Sequence, residues 1–405
     1  NAHEEKFFSN LTSVLSHFTL KASYSLTADR GPADVTNSQA IITSYSPYRP
    51  FTSIQESGLY IKELENSELT YEKKHELNIG ADMGFLNNRI NLAVDWYKRN
   101  NYDLIGIVNT QGAGGQILKY ANIASMKSHG IEFTLSTKNI KTKDFNWNTD
   151  FIFSNAKNEV TDLKQNANVM ELISGNGFAK QGYPVRGLFS IPFVGLDKDG
   201  IPVIINEKGE ATSTDINFQE RQNTGFLKYE GPTDPTITGS LGNMFSYKGF
   251  RLNLFITYSF GNVIRLNPVF KAYYSDLTAM TREFKNRWTL PGDEAKTNVP
   301  AILSKRMYDS NEDLKYAYNA YNYSTERIAK GDFIRLKEIS LAYDFPKAWI
   351  NPLKLTDLSL KVQATNLFLI YADDKLNGQD PEFFNAGGVA SPVPRQFTIT
   401  LRLGL

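Results

Sequence analysis

The sequence predicts an all-β chain forming part of a transmembrane antiparallel β-barrel, with about ten strands, and three observations predict it. Apolar residues recur at every second position in ten separate segments, the period of a strand and not of a helix. The links between these segments alternate short and long, as in bacterial outer-membrane barrels with tight periplasmic turns and long extracellular loops. Several segments run for about ten residues, the length a tilted strand needs to cross a bilayer, whereas soluble strands average nearer five or six.

Taken in chain order, the first segment places Phe18, Leu20, Ala22, Tyr24 and Leu26 on one face and Thr19, Lys21, Ser23, Ser25 and Thr27 on the other. The second carries Leu77, Ile79, Ala81, Met83 and Phe85; the third Ile90, Leu92, Val94 and Trp96; the fourth, more briefly, Ile131, Phe133 and Leu135. The fifth has Phe145, Trp147, Thr149, Phe151 and Phe153. The sixth and seventh read as a hairpin, Ile237 to Tyr247 and Phe250 to Phe260, because Lys248-Gly249 between two alternating runs is a tight-turn signal. Ile339 to Phe345, Leu358 to Ala364 and Phe397 to Leu405 complete the ten.

The faces opposite these residues carry the charges, among them Lys21, Glu76, Asp82, Asp95, Glu132, Asp150, Arg251, Glu338, Lys361 and Arg402. A soluble β-sandwich also alternates, so the links carry the distinction. Those at about 28–74, 154–235, 261–332 and 366–395 are long. Those at 86–89, 136–144, 248–249 and 346–357 are short, and the link after the third segment is open, because that strand can run on through Asp103 to Val108. With this polarity the last strand descends and the C-terminus is periplasmic.

Composition excludes several classes. Forty-four Lys+Arg against 43 Asp+Glu give no electrostatic reason for a nucleic-acid partner. The absence of Cys excludes a disulfide scaffold and thiolate metal sites. The longest nearly unbroken apolar run, Gly187 to Leu196, is too short for a membrane-spanning helix. A start at Asn1 without a signal-like segment is expected of a processed product or a piece of something larger.

Several motifs resemble a known family. GDFIRLKEISLAYDFP (331–346), ATNLFLIY (364–371), DPE (380–382) and the closing PRQFTITLRLGL resemble the C-terminal signature of SusC/RagA-type TonB-dependent outer-membrane transporters of Bacteroidota. ELTYEKKHELNIGADMGFLNNRINLAVDWYKRNNYDLI (68–105), NIASMKSHGIEFTL (122–135) and DPTITGSLGNMFSYKGFRLNLFITYSFGN (234–262) are similar to it in the same order. The resemblance implies a 22-stranded barrel with a plugged lumen, a TonB box that couples it to the TonB complex, and a SusD-like lipoprotein lid. It also implies nutrient uptake, with a bulky oligosaccharide or peptide as ligand. Residues 1–405 then read as the C-terminal portion of one barrel domain, with plug and TonB box outside it. Ten strands left open would expose two edges in lipid, so strands of an N-terminal half are expected against both the first and the last. Two other readings stay open: a non-transporting barrel subunit of an outer-membrane assembly complex, and a soluble extracellular β-rich binding protein.

No enzyme chemistry is expected. His3, His17, His75 and His129 are scattered without metal-ligand or triad spacing, and no glycine-rich loop opens a helix, so catalytic residues, metal and cofactor are all none. Asp197-Lys198-Asp199-Gly200 and Glu207-Lys208-Gly209 read as two turns of a small hairpin, since a complete calcium loop is lacking. Asp380 to Glu382 reads as a fixed loop turn. Tyr316, Tyr318, Tyr321, Tyr323 and Trp288 are the candidates for ligand contact, because rings with a polar tip stack on sugars and peptide side chains; girdle or lid contacts are the competing reading. Asn78, Asp82, Asp95, Asn146, Asp150, Arg251, Asn253, Glu338, Asp344 and Gln363 are the lumen-facing candidates.

Overall fold

Ten antiparallel strands follow one another in a single meander: β1 (Leu15–Asp29), β2 (Glu72–Phe85), β3 (Ile90–Asn109), β4 (Leu118–Lys141), β5 (Phe145–Leu163), β6 (Ile237–Tyr247), β7 (Phe250–Phe260), β8 (Phe333–Asp344), β9 (Asp357–Ala372) and β10 (Gln396–Gly404). The structure is a computed structural model that describes residues 14–31, 39–48, 50, 56–63, 65–112, 118–269, 280–384 and 392–404. All ten alternating segments are strands of this one sheet, and Leu405 lies outside the described residues. Among the described residues no ladder joins β1 to β10, so the sheet ends on both strands with an unpaired edge.

The register aligns the alternation from strand to strand. One row runs Phe18, Met83, Leu92, Leu135, Phe151, Leu241 and Ile256 from β1 to β7, each opposite the next. A lower row runs Trp147, Phe245, Leu252, Leu341, Val362 and Ile399 from β5 to β10. Because side chains alternate strictly, these rows make one continuous apolar face. At the short-turn end it finishes in an aromatic cluster: Phe250 and Tyr343 with centroids 4.4 Å apart, Tyr343 and Phe345 at 4.9 Å, Phe345 and Trp349 at 6.3 Å. Among the described residues no helix is long and apolar enough to cross a membrane, which says nothing of strands.

The short turns follow from residue chemistry. Lys248 and Gly249 both have positive φ (43° and 90°), the two left-handed positions of a type I′ turn, and glycine takes the second without a Cβ penalty. Leu86, Asn87 and Asn88 all lie at φ of 53–58°; Asn tolerates this region, and Arg89 N–H donates to the Phe85 carbonyl at 3.0 Å to close the turn.

The strands on the long-loop side outrun their alternation. β3, β4 and β5 are 20, 24 and 19 residues long, against 11 in β6 and β7. Eleven residues span about 36 Å, or about 25 Å when tilted, the height of an apolar band, so the extra length of β3 to β5 stands beyond it. There Asn122, Lys127, Ser128 and His129 put polar groups on both faces, which is why the alternating part of β4 stopped at Ile131. The link left open by the sequence is therefore short: β3 reaches Asn109 and β4 starts at Leu118.

The hydrophobic core lies outside the sheet, in the loops. Val169, Leu172, Ile173, Phe189, Ile191, Ile204 and Leu227 from the β5–β6 link pack with Ala320 from the β7–β8 link in one cluster. The β5–β6 link holds paired segments Gly187–Ser190 with Lys228–Pro232, and Phe193–Leu196, Pro202–Ile205 and Ala211–Thr212 in a small sheet. The two turns of that small sheet are built alike. The Asp197 carboxylate accepts from the N–H groups of Asp199 and Ile201, both at 2.9 Å, and the Asn206 side-chain oxygen from Lys208 and Glu210 at 3.0 and 2.9 Å. This is the hairpin reading in place of the calcium reading, since the Asp197 oxygen is occupied by backbone. The β1–β2 link carries its own hairpin, Ile41–Tyr45 with Gly58–Glu63.

Candidate functional site

The face opposite the apolar rows is a ladder of polar side chains. Register puts Asn78, Asp82, Asp95, Asn146, Asp150, Arg251, Asn253, Glu338, Asp344 and Gln363 all on it. Most pair across strands. Asp82 pairs with Lys21, and Arg251 donates to Asp344 at 2.8 Å. Ser136 Oγ donates to Asp150 at 2.6 Å, and the Asn78 amide to Glu76 at 3.0 Å. Glu338 accepts from Asn253 at 3.4 Å and stands 3.9 Å from Lys361 Nζ. These groups are partly exposed, so each pair stabilises by at most about 1 kcal/mol; the consequence is a wettable wall of mixed charge and not a rigid one.

Above this wall, at the long-loop end, three arginines that sequence reasoning missed tie the loops down. Arg265 donates to the carbonyls of Phe189 (2.6 Å), Ser324 (2.9 Å) and Ile173 (3.3 Å), three segments from two different links. Burial pushes its guanidinium below its ordinary pKa, a cost the three carbonyls offset. Arg327 pairs with Glu283 and donates to the Asn267 carbonyl at 2.7 Å. Arg335 stands 2.5 Å from Asp380 and 3.3 Å from Glu382. The Asp380 carboxylate also accepts from the Glu382 N–H at 3.1 Å, capping the turn Pro381–Phe383, so the loop-turn reading of this motif holds. None of the three left a signal in the sequence: strict alternation back from Ile339 puts Arg335 on the apolar side of β8, and only the bulge between Leu336 and Glu338 turns it to the polar side.

Arg335 and Asp380 also line a cavity of about 1020 Å³ at the outer end of β8 and β9, with Arg282, Asn366, Asp373 and Arg395 around it. Among the described residues no group of His, Asp and Glu is arranged to hold a metal ion. The cavity therefore offers hydrogen bonds and charge of both signs to a polar ligand.

The tyrosine run divides. Tyr316, Tyr318 and Tyr321 lie on the helix Leu314–Asn322, and Tyr323 caps its C-terminus. Tyr318 and Tyr321 are each 1% exposed, packed into the loop core, while Tyr316 is 39% exposed. Tyr321 packs edge-on against Phe193 at 5.5 Å, and burial raises its pKa. Tyr323 lies under the Arg265 guanidinium at 5.9 Å. The stacking expectation therefore needs correction at Tyr318 and Tyr321, whose faces are covered by protein. Trp288 is a clasp between links: its indole N–H donates to Glu294 at 2.9 Å, and its ring lies over Gly200, where an added Cβ would come within 2.5 Å of it.

The comparisons with known proteins bear on what such a wall belongs to. No family model matches the chain. It is 26% identical over 429 residues to the TonB-dependent receptor SusC of Bacteroides thetaiotaomicron, covering 99% of this chain and 38% of that protein. TonB-dependent receptor P3 of Formosa agariphila is 25% identical over 402 residues, 94% of this chain and 37% of the relative. The chain is similar to SusC-type TonB-dependent receptors along nearly its whole length. It spans about two fifths of the length of the curated relatives it matches. The fold is that of the RagAB peptide transporter, with a TM-score of 0.74, 24% identity and coverage of the whole chain against 42% of that one. The same transporter in its open-open state gives a TM-score of 0.76. The ten-stranded sheet that carries the apolar rows and the polar wall thus shares its fold with that transporter.

Proposed function

We propose that residues 1–405 form the C-terminal portion of the barrel of a SusC-like, TonB-dependent outer-membrane importer of bulky nutrients, oligosaccharides or peptides. One observation carries the proposal: a single ten-stranded meander with a continuous apolar face, an ion-paired polar face and two unpaired edges. Each open edge in lipid costs several kcal/mol for every unsatisfied backbone group, so the sheet is complete only when further strands close it. In this reading an N-terminal half supplies those strands together with the plug and the TonB contact. The apolar rows face the bilayer, the polar wall lines the lumen, the short turns and C-terminus are periplasmic, and the folded loops meet a SusD-like lipoprotein lid outside. The peptide cargo named for the RagAB transporter supports a polymer-sized ligand. The chain's part in transport is to provide half of a wide wall on which several charges are neutralised in pairs, such as Lys21 with Asp82 and Arg251 with Asp344.

The test is uptake by cells carrying the full-length protein, with a variant in which the TonB contact of the upstream half is deleted. Ligand capture retained with uptake abolished is the expected result. Uptake unchanged by that deletion would overturn the importer reading. A barrel that assembles normally while neither capturing nor importing any oligosaccharide or peptide would favour the assembly-subunit reading.

A further inference from the structure

The upper rim of the apolar face changes character in one step. The row Ala22, Ile79, Trp96, Ile131 is apolar over the first four strands and ends on Asn155 in β5, with Trp96 and Ile131 exposed. The row directly above it, joined partner to partner, reads Tyr24, Leu77, Lys98, His129 and Lys157. The next reads Leu26, His75, Asn100, Lys127 and Glu159. Lys127 and Glu159 neutralise each other at 3.0 Å. Lys98 and Lys157 are exposed, and among the described residues no ion pair engages either of them. They flank His129 on the neighbouring strand, about 10 Å apart across two strand spacings. On the polar wall several charges are paired across strands, as Lys21 with Asp82 and Arg251 with Asp344 are. Two unpaired ammonium groups at equal height, immediately above an apolar surface, are a different arrangement.

We propose that Lys98, His129 and Lys157 form a binding site for the phosphate headgroup of a membrane lipid, whose acyl chains lie along Trp96, Ile131 and the rows below. Charge complementarity and position argue it together. An ammonium at a membrane interface attracts anionic headgroups, and the long lysine stems reach up from an apolar surface to place it there. Tyr24, at the β1 end of the row with its ring edge-on to His75 at 6.4 Å, supplies the amphipathic ring characteristic of that depth. A free phosphate would gain the charges without the apolar rows, so the lipid is the occupant the geometry selects.

The site rests on the reading that the apolar face meets lipid. The experiment uses the full-length protein in neutral detergent and measures retained lipid by native mass spectrometry. The probes are phosphatidic acid, diacylglycerol and inorganic phosphate. Replacing both lysines, Lys98→Gln with Lys157→Gln, is expected to weaken phosphatidic acid binding about thirtyfold, at about tenfold or less per interfacial lysine, and to leave diacylglycerol unchanged. The charge-matched pair Lys198→Gln with Lys208→Gln in the loop turns is expected to change neither. Equal phosphatidic acid binding by wild type and the Lys98/Lys157 variant overturns the site. So does equal weakening by both pairs, or inorganic phosphate binding as tightly as the lipid. Failure of the membrane reading looks different: the wild type would then stay in the aqueous phase without detergent.

Discussion

Arg335 and Asp380 carry opposite charges that are both buried, and such a pair is stabilising only while both members are present. Asp380→Ala leaves the guanidinium without its 2.5 Å partner and uncaps the Pro381–Phe383 turn. We expect a loss of about 3 to 5 kcal/mol, read as a lowered unfolding midpoint of the loop region. Asp380→Asn keeps a cap acceptor and should recover part of it. Gly200 tests the Trp288 clasp. It has φ of +77° and no room for a Cβ, so Gly200→Ala should displace the indole and shift its emission toward that of exposed tryptophan. The same clasp is acid-sensitive. The N–H groups of Leu290 and Thr289, with the Thr289 hydroxyl, hold the Asp293 carboxyl below its ordinary value, and the Trp288 indole does the same for Glu294. A carboxylate depressed in the folded state contributes fully above its unfolded pKa of about 4 and loses that contribution as pH falls through the folded value. Trp288 emission should therefore be constant from neutral pH down to about 5 and shift below about 4.

At the scale of elements, the ten strands were legible because a sheet with one apolar and one polar face imposes period two. β6 and β7 have the bounds the alternation gives, since both stay within the apolar band and end in a tight turn. The outer halves of β4 and β5 were illegible for the converse reason: Asn122, Lys127 and His129 put polar groups on both faces and leave no alternation to read, while β3 showed its extension only as an open end through Val108. The loop core was illegible too, because its contacts join residues as distant as Ile173 and Ala320. The tyrosine run shows the same limit. Tyr316, Tyr318, Tyr321 and Tyr323 are alike in sequence, and only the packing of the Leu314–Asn322 helix against Phe193 separates the exposed Tyr316 from the buried pair. Tyr316→Ala should therefore leave loop stability unchanged within about 0.5 kcal/mol, as at an exposed position. Tyr321→Ala should cost about 3 to 5 kcal/mol as an aromatic removed from a core. Proteolysis of the 261–332 link in the two variants separates them.

For the whole molecule, the decisive property is that the sheet is open. β1 and β10 each present a row of apolar side chains, with Phe397 and Ile399 both 75% exposed, beside an edge that no strand among the described residues covers. A closed barrel of ten strands would hide those edges and would be a complete object. In the proposed importer an arc of ten strands is a component, and the chain covers only 37% and 38% of the two relatives' lengths. Hydrogen exchange at the two edges decides between them, measured strand by strand in detergent for the full-length protein and for residues 1–405 alone. The account predicts slow exchange along Phe18–Thr27 and Phe397–Leu403 in the full-length protein, and fast exchange at alternate amides of both in the isolated chain. Slow exchange along both edges in the isolated chain would mean that β1 and β10 pair with each other, and would contradict the account.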